Sequence, residues 1–403
     1  MTVFPNSVEA LSETVRQCST DRTPFAPIGS GSKFSWGPSL AMESLRISTT
    51  KLDQVIDHAV GDLTVTVQAG MKFGELQAQL KKAGQCVAID PSYEDRATVG
   101  GIVATGDSGA LRHRYNSVRD MVLGVELVRS DGERVKAGGR VVKNVAGYDL
   151  MKLLTGSYGT LGIVTQVTLR LYPLQESSQT VFLVGGASAV AAVMQALLNS
   201  GLTPTAIDLL SATVCGKLDL CEKSDLLAPT GIEIGLLVRF QGLTESVTEQ
   251  VKRLRALGQS QGLTTSVPSD EDQLWKRLGQ VLTGQVLKID DSAERVLCKW
   301  AVRSAETVAT LSHLQEKFPE SCARFHGGGG LGQVQFPSVT AADLLGLRSF
   351  VEVRGGFLTV LEAPDTLKKS MEVWGYQGNG LGWMRSIKQQ FDPQGLLSPG
   401  RLG

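Results

Sequence analysis

Two glycine-rich turns, each at the border of an apolar run, constrain this sequence more than any other feature. One runs from Thr98 to Gly101 and the other from Gly156 to Gly162, and a third glycine loop, Gly29 to Lys33, lies upstream. Glycine has no Cβ, so backbone N–H groups at such turns can approach a polyanion closely. Three such loops on one scaffold predict that main-chain groups hold a diphosphate-bearing cofactor.

The size and charge of the chain narrow its class. At 403 residues it is longer than an ordinary domain, so we expect two. Basic and acidic residues number 40 each, which gives no electrostatic reason to expect nucleic acid or an anionic membrane as partner. No apolar run approaches the ~20 residues that span a bilayer. Residues 1–5 show no basic stretch leading into an apolar one, so we expect no signal peptide.

The cysteines favour a reducing compartment. None of the six forms a C-x-x-C pair, and the two that lie nearest each other, Cys215 and Cys221, have five residues between them. This spacing matches no zinc or iron–sulfur run, so we expect buried thiols and no metal site. We therefore expect a cytoplasmic protein, with any membrane association peripheral and made through a partner.

Apolar periodicity predicts an α+β chain with a break near Tyr172-Pro173. The predicted strands are 25–28, 63–67, 121–128, 163–171, 181–184, 232–240 and 296–302, and the predicted helices are 7–16, 150–154, 187–198, 244–257 and 383–390, with one more carrying Phe73, Leu76 and Leu80. After the break, the alternation of strands and helices favours helices on one face of an antiparallel sheet. The predicted domains are residues 1–175, 176–370 and a C-terminal segment, 371–403.

The glycine loops leave alternatives open when each is taken alone. Gly29-x-Gly31 is no dinucleotide fingerprint, because Phe34 occupies the third glycine position, and the loop also fits a plain surface turn. In the segment Asp90 to Gly109, small residues recur. Such a stretch packs either against another backbone or against a flat ligand.

Four spaced blocks, in one order, resemble the FAD-linked oxidase family of the vanillyl-alcohol oxidase type. The blocks are Pro27-x-Gly29-x-Gly31, Asp90-Pro91 with Thr98-x-Gly100-Gly101-x-x-Ala104, Arg112-x-Arg114-Tyr115, and Lys143 to Thr165 with Gly147-Tyr148-Asp149 and Gly156-Ser157-x-Gly159. The end of the chain, Phe391 to Arg401, resembles the closing motif of the family, with Ser398 where the motif has asparagine.

The resemblance implies an α+β fold with a two-part FAD-binding domain of the PCMH type. It also implies a cap domain with an antiparallel sheet, and a C-terminal segment that returns to the FAD domain. The cofactor-binding residues that it implies are Gly29, Ser30, Gly31, Ser32, Lys33, Pro91, Thr98, Gly100, Gly101, Ala104, Gly106, Gly109, Tyr115, Gly159 and Ile163.

The resemblance assigns parts of the cofactor to these residues. The first loop and the Thr98–Gly101 turn would hold the diphosphate, Ala104 to Gly109 and Tyr115 the flavin ring, and Gly159 with Ile163 the adenosine end. Lys33 would add a charge or lie in solvent. Covalent relatives carry histidine where this chain has Ser32, so we expect non-covalent FAD.

Within the family, 143–149 and 323–330 resemble the FAD-binding subunits of glycolate oxidases. That branch implies an oxidoreductase of CH–OH donors that works in a complex, with a second flavin subunit and an iron–sulfur subunit that receives electrons from a 2-hydroxy acid.

Catalytic residues are unknown from the sequence, with His326 and Arg324 as candidates. His326 precedes four glycines, which favours either a loop histidine or one that faces the flavin. Arg324 lies beside the same glycines and can anchor a carboxylate. Trp300 is expected in the core.

Three other functions remain open at this point. They are a stand-alone oxidoreductase of another 2-hydroxy acid or a sugar-derived alcohol, a sugar-nucleotide reductase that uses NADPH, and a scaffold that has lost its flavin.

Overall fold

A computed structural model of the chain describes residues 1–139, 148–220, 233–283 and 294–402. The strands are β1 Thr2–Val3, β2 Phe25–Ile28, β3 Leu45–Ser48, β4 Val55–Ala59, β5 Thr64–Gln68, β6 Gln85–Cys86, β7 Val122–Val128, β8 Arg134–Gly138, β9 Ile163–Arg170, β10 Tyr172–Pro173, β11 Ser177–Gly186, β12 Ala206–Ser211, β13 Glu233–Gly242, β14 Thr264–Ser266, β15 Val296–Ala301, β16 Cys322–His326, β17 Leu331–Phe336 and β18 Phe357–Glu362. The helices are α1 Val8–Thr20, α2 Phe73–Lys81, α3 Val99–Thr105, α4 Arg112–Tyr115, α5 Val118–Met121, α6 Leu150–Leu154, α7 Ala187–Leu198, α8 Ala212–Lys217, α9 Thr244–Ser260, α10 Glu271–Thr283, α11 Thr307–Lys317, α12 Ala341–Glu352, α13 Asp365–Ser370 and α14 Leu381–Phe391.

The chain folds into two compact units. Unit 1 consists of residues 1–109, 116–174 and 376–403, and unit 2 consists of residues 110–115 and 175–375. The mixture of helices and sheets confirms the predicted α+β class, and the C-terminal segment returns to the first unit as expected. No helix among the described residues combines the length and the apolarity needed to cross a membrane.

Unit 1 contains a parallel three-stranded sheet, β1-β3-β2, and an antiparallel five-stranded sheet, β4-β5-β9-β7-β8. The Oγ of Ser7 accepts a hydrogen bond of 3.1 Å from Ala10 N and so begins α1, because it satisfies a donor that the first turn leaves open. The apolar side of α1 then packs with Phe25 and Ile47 in a fully buried cluster.

The C-terminal segment closes unit 1 by adding to the edge of the parallel sheet. Phe25 N donates to Leu396 O at 2.9 Å, and Ser398 N donates to Phe25 O at 2.7 Å. The buried carboxylate of Asp392 accepts from Leu396 N and Leu397 N at 3.2 and 2.9 Å and lies 2.5 Å from the ammonium of Lys388. This carboxylate therefore fixes the turn that carries the final residues to the sheet.

Unit 2 is built on an eight-stranded antiparallel sheet, β14-β11-β13-β12-β16-β17-β15-β18. The helices α7, α9, α11 and α12 cover one face in a large apolar cluster that includes Trp300, stacked on Phe325 at 4.4 Å. The helices α8 and α10 pack on side chains of the other face, such as Phe182 and Leu210. Trp300 is buried as expected. The prediction of helices on one face of the sheet is wrong, because helices cover both faces. Successive residues of a strand point to opposite faces, and here apolar residues are buried on each.

The predicted elements are confirmed to within a few residues at their ends, except that residue 232 lies outside the described residues. The carboxylate of Asp149 accepts from Lys152 N at 3.1 Å and caps α6. The elements of unit 2 that the prediction missed include β12, β16, β17, β18, α8, α10, α11 and α12, and several short elements of unit 1 were missed as well. Strand β12 is buried at all six residues, so it lacks the alternation that marks a strand in sequence.

Replacing Asp392 with asparagine should destabilise unit 1. The change removes the negative charge that faces Lys388. It also replaces one of the two carboxylate oxygens that accept from Leu396 N and Leu397 N. We expect a loss of about 3 kcal/mol, since breaking a largely buried ion pair costs roughly 3–5 kcal/mol. For a unit of this size, that corresponds to a melting temperature lower by about 6–12 °C.

Thermal unfolding followed by circular dichroism measures the effect of Asp392→Asn. Asp53→Asn, at an exposed position, is the matched control and should change the midpoint by no more than ~1 °C. An Asp392→Asn midpoint equal to that of the control would show that the C-terminal turn does not depend on this carboxylate.

Candidate functional site

Unit 1 contains an open groove with about 840 Å³ of space between its atoms, part of it continuous with solvent. Its walls come from the end of β2 and the loop after it, from α3, from the turn before β9, and from the last residues of the chain. The lining residues are Ala26, Pro27, Ile28, Gly29, Ser30, Gly31, Ser32, Lys33, Phe34, Thr49, Thr98, Gly100, Gly101, Ala104, Thr105, Ser157, Tyr158, Gly159, Gly162, Ile163, Val164, Ser398 and Arg401.

The groove brings together most of the residues that the sequence predicted. Those that line it are Gly29, Ser30, Gly31, Ser32, Lys33, Thr98, Gly100, Gly101, Ala104, Gly159 and Ile163. Four predicted residues do not line it: Pro91, Gly106, Gly109 and Tyr115. Tyr115 belongs to the short segment that packs in unit 2, and Gly106 ends α3 in a left-handed conformation.

The loop after β2 offers hydrogen-bond donors to the groove. Within the described part of the chain, no hydrogen bond uses the backbone N–H groups of residues 30–33 as donors. Gly31 has φ +81°, a conformation that places successive N–H groups of a loop on one concave side. A run of such groups is a site for an anion.

The Thr98–Gly101 turn, which was predicted to hold the diphosphate, makes hydrogen bonds within the protein. Gly100 N donates to Ala69 O at 2.8 Å, and Gly101 N donates to Thr98 Oγ1 at 3.3 Å. These two N–H groups are therefore already used within the protein. Glycine is needed at position 100 because a Cβ there would lie 2.7 Å from that of Ala69. A Cβ at Gly29 would lie 2.1 Å from Thr98 Oγ1, so the two loops pack directly on each other.

A buried ion pair fixes the loop after β2. The ammonium of Lys33 lies 2.6 Å from the carboxylate of Asp107, and both residues are 7% exposed. Burial lowers the pKa of Lys33, and the charge of Asp107 opposes that shift. The alternative of a Lys33 side chain in solvent is wrong.

The segment around Pro91 lies against the chain that follows α3. Ser92 N donates to Asp107 at 2.7 Å, and Gly109 N donates to Asp90 at 3.1 Å. A Cβ at Gly109 would lie 2.3 Å from the Asp90 carboxylate. Of the two alternatives for the small residues here, packing against other parts of the protein therefore holds at Gly109, as it does at Gly100.

The sequence prediction missed one wall of the groove, formed by Tyr158, Ser398 and Arg401. Tyr158 has φ +52°, its N–H donates to Ala104 O at 2.7 Å, and burial raises the pKa of its hydroxyl. The Oγ of Ser398 donates to Gly159 O at 3.0 Å. The closing motif was the available signal, but it gave no indication that its last residues reach the first loop.

The C-terminal arginine holds the loop after β2 from the other side. Its guanidinium is buried, donates to the carbonyl oxygens of Phe34 and Trp36, and lies 5.3 Å from the centre of the Phe34 ring. Arg401 thus connects the two ends of unit 1 at the groove.

The two catalytic candidates lie in unit 2. His326 is the last residue of β16, is 5% exposed, and has its Nδ1 2.6 Å from Asp208 Oδ1. It is therefore a buried strand residue, and the prediction of a loop histidine is wrong. Arg324 lies on the same strand and is 7% exposed.

The residues 143–147, which pointed to the glycolate oxidase branch, lie outside the described residues. In the described ranges, histidine, cysteine, aspartate and glutamate side chains nowhere form a group of three that could hold a metal ion.

Comparison with protein families gives two matches. Residues 1–138 match the FAD binding domain, and residues 368–402 match the C-terminal domain of FAD linked oxidases. The matched ranges include most of the groove residues, among them the loop after β2 and the closing motif.

Several curated proteins resemble the chain. It is 25% identical to glycolate oxidase subunit GlcD of Bacillus subtilis (strain 168), over 99% of this chain and 88% of that protein. It is 31% identical to a probable mitochondrial D-lactate dehydrogenase of Danio rerio, over 68% of this chain and 55% of that protein. It is 36% identical to glycolate oxidase subunit GlcE of Escherichia coli (strain K12), over 42% of this chain and 48% of that protein.

A solved structure shares the fold. P-cresol methylhydroxylase superposes with a TM-score of 0.74 and 15% identity, over all of this chain and 88% of that one. This match confirms the predicted PCMH-type fold. The two family matches and the relatives above show that the chain carries both domains of the FAD-linked oxidases, that its cofactor is FAD, and that it is an FAD-dependent oxidoreductase.

Proposed function

We propose that the groove of unit 1 is the FAD site and that the N–H groups of residues 30–33 hold the diphosphate. The supporting observation is that these four donors line the groove and have no partner among the described residues. Backbone N–H groups in folded proteins are normally paired, so unused donors on a loop that lines an open groove fit a bound anion. Gly159 and Ile163, which also line the groove, would contact the adenosine end of the cofactor.

The buried lysine supports this site in an indirect way. Because Asp107 neutralises Lys33, the ammonium is a fixed part of the wall and not a mobile phosphate ligand. The diphosphate would then be held by main-chain dipoles, as the glycine loops predict. When bound, FAD supplies the acceptor for the hydride of a substrate.

We propose that the flavin is bound without a covalent bond. Ser32 stands where covalent relatives have histidine, and a serine hydroxyl offers no imidazole nitrogen for attachment. Acid precipitation of the purified protein should therefore release all flavin to the supernatant, as measured by absorbance. A yellow pellet would contradict this.

Substitution of Gly29 should weaken FAD binding by about tenfold or more. In Gly29→Ala, the new methyl would lie 2.1 Å from Thr98 Oγ1, so the loop that carries the free N–H groups must shift. Gly61→Ala is the matched control, because nothing lies within 4 Å of a Cβ at that position. The released FAD per protein, measured after acid treatment, should fall in the first variant and stay unchanged in the control. Equal FAD content in both would count against the groove.

We propose that the electron donor is a small 2-hydroxy acid. The relatives GlcD and GlcE are named as glycolate oxidase subunits and another as a D-lactate dehydrogenase, and each of these names refers to a 2-hydroxy acid. The domain division 1–175, 176–370 and 371–403 is part of this proposal, with the second domain as the cap over the substrate.

The electron donor can be tested by anaerobic bleaching of the bound flavin. In the complex purified through this chain, glycolate or D-lactate should reduce the flavin, because each carries a hydrogen on the carbon that bears the hydroxyl. Acetate is the matched control, since it has the carboxylate and lacks the hydroxyl, and should cause no bleaching. Bleaching by NADPH and not by hydroxy acids would favour a sugar-nucleotide reductase instead.

We further propose that the chain acts as one subunit of a complex that contains a second flavin subunit and an iron–sulfur subunit. Similarity to two different glycolate oxidase subunits supports this, as does the lack of an iron–sulfur run among the cysteines of the sequence. The chain would stay in the cytoplasm, with any membrane contact made through a partner.

Co-purification tests the complex. A tagged chain expressed with its neighbouring genes should bring down an iron–sulfur protein, recognised by its visible spectrum and by iron analysis. Glycolate-dependent dye reduction should be at least about tenfold lower for the chain expressed alone. Full activity of the lone chain would favour the stand-alone oxidoreductase.

A further inference from the structure

One polar cluster in unit 2 is not accounted for by the packing of the sheet. Asp208 on β12 lies directly opposite His326 on β16, and Arg324 lies two residues before His326. Directly opposed residues and residues two apart share one face of a sheet. The exposed fractions of the three side chains are 0%, 6% and 8%, so this face carries a buried acid, base and cation side by side.

The histidine is held in one orientation. Its Nδ1 lies 2.6 Å from Asp208 Oδ1. Because a carboxylate only accepts, Nδ1 carries the proton of this hydrogen bond. In the neutral ring, Nε2 then keeps its lone pair and can accept a hydrogen bond from another molecule.

The arginine is left incompletely paired. Its Nε lies 3.9 Å from Asp208 Oδ2, which is too far for a hydrogen bond. Both atoms are buried, and neither has a hydrogen-bond partner among the described residues. An unpaired buried donor costs free energy that a suitable acceptor would recover.

The turn after His326 packs against the segment 110–115, which also belongs to unit 2. A Cβ at Gly328 would lie 2.1 Å from His113 Nδ1, so glycine at this position lets the segment approach the hairpin. The strand cluster itself holds one carboxylate and one guanidinium, and the unpaired Nε of Arg324 is the donor that it offers to an anion.

We propose that Arg324 and His326, oriented by Asp208, form a binding site for a small carboxylate with an oxygen on the adjacent carbon. The planar fork of Arg324 binds the carboxylate, and Nε2 of His326 accepts the hydrogen bond of the hydroxyl. Asp208 is a positioning residue. The inference rests on the proposed function, because a 2-hydroxy acid is a ligand of this class.

The test uses 2-hydroxyisobutyrate, which carries a carboxylate and an adjacent hydroxyl but no hydrogen on the hydroxyl carbon to lose as hydride. Titration calorimetry of the FAD-loaded chain should show saturable binding at one site. Arg324→Lys keeps the positive charge beside Asp208 but removes the fork, and should bind 2-hydroxyisobutyrate at least tenfold more weakly. Arg277→Lys is the matched control, because that guanidinium already donates to Asp219 and to Lys217 O, and should bind within twofold of the parent chain.

Proton NMR shows where the probe binds. The His326 Nδ1 proton, strongly deshielded by Asp208 and identified by its loss in His326→Gln, should shift as 2-hydroxyisobutyrate saturates the chain. In Arg324→Lys, the signal should remain and should not shift at the same 2-hydroxyisobutyrate concentration, which also shows that the variant is folded. No saturable binding, equal binding by both lysine variants, or an unmoved signal at saturation would each overturn the proposal.

The outcome is separable from that of the proposed function. Binding of 2-hydroxyisobutyrate that depends on Arg324, with no bleaching by any oxidisable hydroxy acid, would keep the anion site and remove the proposed electron donor. Bleaching by glycolate with unaltered binding of 2-hydroxyisobutyrate in Arg324→Lys would do the reverse.

Discussion

The buried pair between Lys33 and Asp107 is the interaction on which the groove of unit 1 depends. Two charges removed from water are costly unless they neutralise each other at close range, and these lie 2.6 Å apart. The same carboxylate accepts from Ser92 N, so a single residue after α3 positions both the loop after β2 and the segment around Pro91. With Lys33 fixed, the loop after β2 stays in place along the groove, and no hydrogen bond among the described residues uses the N–H groups of residues 30–33.

The last residues of the chain complete this arrangement from a distant part of the sequence. Ser398 has φ +49°, a left-handed conformation that serine rarely adopts, and its Oγ bonds to Gly159 O. Such strain persists only where the surroundings determine the conformation, and here the strand contact to Phe25 does so. The asparagine of the family motif adopts this conformation more readily. Serine at position 398 therefore carries more backbone strain than asparagine would, at a residue that lines the groove.

Local signals predicted much of the fold, and contacts between distant segments explain what the sequence could not give. The caps at Ser7 and Asp149 each depend on residues three positions away, so the sequence alone sufficed. The N–H group of Gly100 could not be assigned in the same way, because its acceptor, Ala69 O, is set by the packing of two loops. Lys33 was ambiguous for the same reason, since its partner lies 74 positions away along the chain. The glycine pattern therefore located the groove, while the division between free and occupied N–H groups required the structure.

Two buried arginines in unit 2 show how structural and ligand-binding roles differ. Arg348 is 4% exposed, and its guanidinium donates to Leu358 O at 3.1 Å and to Val373 O at 3.4 Å. Its donors are thus directed at backbone acceptors, as expected where an arginine serves the fold. Arg324 is buried to a similar degree, yet its Nε has only a carboxylate at 3.9 Å. The sheet thus pairs the Arg348 guanidinium with backbone oxygens but leaves the Arg324 Nε without a hydrogen bond among the described residues. Since its neighbour His326 is held with one nitrogen available, the unpaired Arg324 is better explained by a ligand than by the packing of the sheet.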